Sequence, residues 1–187
     1  MLRDPHKFWA LGQEGQRAAW AYEHVTSYFD GSLVQYGRVV ELWRQSSAVP
    51  EASEGSWEAK LKLMHQVVRD IHFLLVSKQA IWRTLSTLSS QDLYPSFQSV
   101  VPLKVQWAPY FEQYREPRNS FEHFEDQILG NDSRSNSPGF GVRLLPDGSF
   151  SLGVQQPVVL GEASKRQLVE FYAAFEQTLL AVVDGVA

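Results

Sequence analysis

The chain has 187 residues and a mass of 21.3 kDa, room for one domain with a real hydrophobic core. With 44% hydrophobic and 20% charged residues it has globular usage, which rules out wholesale disorder. It has no cysteine, so disulfide scaffolds, thiolate zinc sites and cysteine nucleophiles are excluded, and a net charge of −4 argues against a broad basic face for duplex nucleic acid.

The opening MLRDPHKFWALGQEGQ mixes charged and apolar residues and lacks the apolar core of a signal peptide. No apolar run approaches the ~20 residues of a membrane helix. The expectation is a cytoplasmic protein without membrane contact. From about 14 to 45, Ala18, Tyr22, Val25, Phe29, Leu33, Tyr36, Val40 and Trp43 recur at steps of three and four, which predicts one long helix. Gly31 and Gly37 weaken that helix without breaking its phase. A polar connection, SSAVPEASEGS, follows with Pro50 and Gly55 as breakers.

Ser56 is the expected N-cap of a second helix over 56–88. Leu61, Met64, Val68, Ile71, Leu75, Trp82 and Leu85 form one row, broken only by Lys78, and Val67, Leu74, Ile81 and Leu88 form another. So broad a stripe packs against more than one neighbour, as in a bundle. The prolines at 95, 102 and 109 predict an irregular stretch. A third helix is expected over about 109–129, carried by Phe111, Tyr114, Phe121, Phe124 and Ile128, with Pro117 kinking or restarting it. Alternation at Phe140, Val142 and Leu144, a Pro146-Asp147-Gly148 turn, and Phe150, Leu152 and Val154 predict a β-hairpin over about 140–154. Leu168, Phe171, Phe175, Leu179 and Val182 complete the chain with a helix over about 162–184. The expected fold is mainly all-α: a single domain over 1–187, an up-and-down four-helix bundle with a β-hairpin inserted between helices 3 and 4.

Chemistry concentrates in the third helix. Arg118, Asn119, Glu122, His123 and Asp126 fall on one polar arc of about 140°, with Phe121, Phe124 and Ile128 opposite. Were Pro117 to open the helix, Arg118 and Asn119 would lie in its first turn, where free N–H groups favour anions. The same residue types also suit a solvated helix face. Elsewhere, His65 and His72 are about 10.5 Å apart along one helix and cannot share a zinc ion. His24 reads as a helix-face residue. The six tryptophans read as packing and interface residues rather than base-stacking ones. There is no Walker A, GxGxxG, HExxH or nucleophile-elbow motif.

Four helices with RNSFEH at 118–123 at the head of the third resemble the HEPN superfamily, whose signature is Arg-x4–6-His with a polar residue, often Asn, after the Arg. Arg118, Asn119 and His123 match those positions. The resemblance implies a metal-independent endoribonuclease, toxin or defence related, that needs no cofactor. Arg118 and His123 would be catalytic, and Asn119 and Glu122 supporting and phosphate-positioning. It further implies a homodimer that brings two motifs together, and partners such as RNA, nucleotide, or a cognate antitoxin or nucleotidyltransferase. The alternative is a catalytically silent HEPN-like module that binds RNA, nucleotide or a protein partner.

Overall fold

The computed structural model describes residues 6–50, 55–122, 142–144, 150–152 and 158–185. Two long helices dominate it, α2 over Gly12–Ala48 and α3 over Ser56–Leu88, preceded by the one-turn helix α1 over His6–Trp9. A 3-10 turn at Pro95–Phe97 leads into α4 over Val100–Glu112 and α5 over Arg115–Glu122. Helix α6 spans Glu162–Asp184.

Side-chain pairs fix how these helices run. His24 on α2 meets Thr84 on α3, and Arg38 on α2 meets Asp70, so α2 and α3 pair in opposite directions. Tyr22 bonds Glu176, Thr26 bonds Tyr172 and Tyr36 bonds Ser164, so α6 also runs against α2. Lys104 lies over Trp82, and Lys78 meets Tyr110, which sets α4 against α3. Together these contacts describe a helical bundle. Its core is aromatic: Phe171 on α6 packs edge-on against Trp107 and Phe111 of α4, and Phe175 lies beyond it. Replacing such a buried ring with alanine typically costs about 3–5 kcal/mol.

The α3 and α6 stripes are buried much as their spacing predicts, but on α2 the buried row is Phe29, Ser32, Tyr36 and Val39, with Val40 52% exposed. A straight helix at 3.6 residues per turn drifts off a pure 3–4 count, and small Ser32, bonded back to Tyr28 O, fills the contact where Leu33 was expected. The residue capping α3 is Gly55, at φ +81°, not Ser56, which is already helical. The turn from α1 into α2 presses close enough that a Cβ on Gly15 would stand 1.7 Å from the Phe8 carbonyl oxygen. That approach seats fully buried Phe8 parallel to Phe97.

Three expectations are corrected between α3 and α6. The stretch read as irregular is mostly helix, because Pro102 falls in the first turn of α4, where its missing N–H has no partner to lose. Pro109 is accommodated inside the same helix. The third helix is therefore not one segment over 109–129 but α4 and α5, with a break at Gln113 and Tyr114. The expected two-stranded insert is also revised: β1 (Val142–Leu144), β2 (Phe150–Leu152) and β3 (Val158–Leu160) form an antiparallel sheet in the order β1-β2-β3. Val158 and Leu160 of β3 are buried in the bundle core. Among the described residues, no helix is long and apolar enough to cross a membrane.

Candidate functional site

Helix α5 is short and its placement depends on Tyr114. That side chain is buried and its hydroxyl meets Ser164 Oγ at 2.5 Å, while its carbonyl accepts the Arg118 N–H at 3.1 Å. Pro117 is buried within α5 rather than at its head. Arg118 thus begins no helix, and its N–H is already used. The anion affinity expected from a free N–H at that position is absent.

Arg118 and Asn119 are half-buried neighbours, and Arg118 Nη1 donates to Asn119 Oδ1 at 3.2 Å. The amide therefore orients the guanidinium, a role for Asn119 distinct from the phosphate or imidazole contacts that its type suggested. Glu122 closes α5. His123 lies outside the described residues, so the structure places the Arg–Asn half of RNSFEH and not its imidazole.

Arg118 faces a cleft of about 260 Å3 between α2, α3 and α5. Its other lining residues include His24 and Tyr28 from α2, and Gln79, Arg83 and Thr84 from α3. Thr84 Oγ1 lies 2.9 Å from His24 Nδ1 and 3.0 Å from Ala80 O, so it holds the imidazole in place on the cleft wall. Tyr28 packs edge-on against the same imidazole. The cleft brings together two guanidiniums and an imidazole from three helices. From sequence His24 read as a helix-face residue and Arg83 drew no notice, because no motif joins them to Arg118 and only the docking of the helices does.

A second constellation lies inside the bundle. Lys78 of α3, the one break in an apolar row, is fully buried and donates to the Tyr110 hydroxyl. Its ammonium position lies 4.3 Å and 4.4 Å from the ring centres of Tyr110 and Tyr114, and 5.6 Å from that of Tyr36. Tyr110 donates onward to Ser164 O at 2.9 Å, and Tyr36 meets Ser164 Oγ at 2.7 Å. Burial without a carboxylate partner holds the Lys78 amine well below its ordinary pKa. Burial drives the tyrosines the other way, Tyr114 to about 12 and Tyr36 and Tyr110 further still. The cluster is a hydrogen-bonded knot that ties α2, α3, α4 and α6 together. The signal for it was present in sequence as a lysine at a core position.

His65 is exposed and His72 half-buried on α3, and no group of three metal-ligating side chains occurs among the described residues. Trp82 and Trp107 pack into the core against Phe111 and Phe171, whereas Trp9, Trp20 and Trp57 are exposed. The chain matches no known protein family, no curated protein and no solved structure. The likeness of RNSFEH to the HEPN signature therefore stands on its own residues.

Proposed function

We propose that the protein is a metal-independent endoribonuclease of HEPN type, active as a homodimer, with Arg118 and His123 catalytic and Asn119 and Glu122 in support. One observation carries the reading: Arg118, held by Asn119, borders a cleft with a second guanidinium and an imidazole. Such a site suits a phosphodiester despite the chain's net charge of −4. In the reaction, a base takes the ribose 2′-hydroxyl proton and the 2′-oxygen attacks phosphorus. The 5′-oxygen leaves with a proton from an acid, giving a 2′,3′-cyclic phosphate. His123 supplies one imidazole, and the guanidinium of Arg118 meets the charge that builds on the phosphorane. Exposed Trp20 and Trp57 offer apolar surface for a second copy. A toxin or defence role, with a cognate antitoxin or nucleotidyltransferase as partner, belongs to the same reading.

The purified protein is expected to cleave RNA in excess EDTA and to leave 2′,3′-cyclic phosphate ends. His123→Ala is expected to lose about 10²–10⁴-fold in rate with its thermal melt unchanged. Arg118→Ala should lose activity likewise. Loss of activity on adding EDTA, or a monomer by light scattering at micromolar concentration, overturns the metal-free or the dimeric part. If wild type and His123→Ala are equally inactive yet bind RNA alike, the silent binding module replaces the enzyme.

A further inference from the structure

The described lining of the cleft beside α5 is cationic, opposite in sign to the whole chain. Two of its lining residues are arginines, cationic at any accessible pH, and among the described residues none that lines it is a carboxylate. Arg83 is exposed on α3, and its guanidinium makes no hydrogen bond or ion pair with a described residue. Arg38 on α2, by contrast, is tied to Asp70 at 3.0 Å. Across the cleft, the His24 imidazole is held by Thr84 at 2.9 Å. The volume of about 260 Å3 is small beside the ~300–1,000 Å3 of drug-sized ligand sites, which suits a phosphate group more than an entire cofactor.

We propose that this cleft is a phosphate-ester site complete within one protomer, in which Arg83 of α3 and Arg118 of α5 grip the phosphate from two sides. The His24 imidazole hydrogen-bonds a hydroxyl of the same ligand. The proposal deepens the reading above and shares Arg118 with it. It adds Arg83 and His24, which the RNSFEH resemblance does not reach, and it needs no residue of a second copy. The shared chemistry is a phosphate ester, supplied either as a diester by an RNA strand or as a monoester by a nucleotide.

The test titrates the full chain with three probes over a range of salt: a short 2′-O-methyl oligoribonucleotide, which 2′-hydroxyl chemistry cannot cleave, 5′-AMP and inorganic phosphate. Arg83→Gln is expected to weaken the bound probe at least about tenfold, the scale of a lost charge-assisted contact. For the oligonucleotide it should also flatten the slope of log affinity against log salt by about 0.7, one phosphate contact fewer. Arg83→Lys, which keeps the charge, retains most of that slope. Arg69→Gln, on the same helix but outside the cleft, stays within about twofold, as expected of an isolated surface charge. Binding of the oligonucleotide alone identifies a diester ligand, and binding of 5′-AMP or phosphate identifies a monoester. Equal losses in Arg83→Gln and Arg69→Gln, or no binding of any probe by the wild type, overturn the site. Arg83-dependent binding without RNA cleavage leaves the site standing and removes the nuclease reading. Cleavage and binding that both survive Arg83→Gln do the reverse.

Discussion

Lys78 and Arg83 lie little more than a turn apart on α3, yet one is fully buried among tyrosines and the other is exposed on a polar cleft. The difference follows from what each side chain does with its proton. An amine can become neutral when water is removed, and its four-carbon stem then packs like any apolar side chain. A guanidinium stays charged, so it remains where solvent or an anion can reach it. One helix therefore uses these two basic residues for opposite ends: Lys78 ties the bundle together from inside, and Arg83 stands ready for something outside it.

Exchanging the two chemistries should break the contrast most severely at the buried position. Lys78→Arg places a charge that cannot be shed among Tyr36, Tyr110 and Tyr114, and is expected to cost at least about 3 kcal/mol in urea unfolding. If Lys78→Arg is as stable as wild type, the knot is wetter than the structure describes.

Lys78→Met sharpens the comparison through pH. With its folded pKa well below 10.5, Lys78 binds fewer protons in the native than in the unfolded state. Stability should therefore rise with pH between those two values, by at most about 1.4 kcal/mol per unit for one proton, and fall away as pH drops. The tyrosines act oppositely: their raised values keep them neutral in the fold, so stability declines above about pH 10 as the unfolded chain ionises. Lys78→Met should remove the rising limb, keep the alkaline decline and stabilise the protein at pH 7. Thermal melts of the two proteins from pH 7 to 10.5 check this, and parallel curves would contradict it.

The smallest change falls on the residue that joins the two regions. Tyr114→Phe removes one hydroxyl from Ser164, which keeps its contact with Tyr36, so a loss of about 1 kcal/mol is expected. Because Tyr114 also anchors the start of α5, the variant should weaken phosphate-ester binding more than Tyr36→Phe, which touches the same serine from α2. Equal binding by the two variants would separate the knot from the cleft.

The legible parts of this fold were those where repetition fixes the answer. Helices α2, α3 and α6 carry apolar residues through many turns, and their periodicity survives Gly31, Gly37 and Lys78. What failed was punctuation. Pro102 and Pro109 read as breakers, though a proline ends a helix only where its missing N–H or its ring costs something. The third strand, Val158–Leu160, gave too few residues to show alternation beside the stronger hairpin signal. In the candidate site, Arg118 and Asn119 were visible as a motif. Their helix register was not, because Tyr114 rather than Pro117 sets it. The cleft itself was beyond reach, since His24 and Thr84 are 60 residues apart and meet only after α2 and α3 have docked.

The opposed pairing of the helices also sets an order in time. Contacts between α2 and α3 join residues 32 and 60 positions apart, so that hairpin can close once the first half of the chain is made. Those between α2 and α6 span 128 to 154 positions. During synthesis, the face of α2 carrying Tyr22, Thr26 and Tyr36 must wait uncovered until the last helix emerges, and for that interval the nascent hairpin presents an aromatic stripe to whatever is nearby.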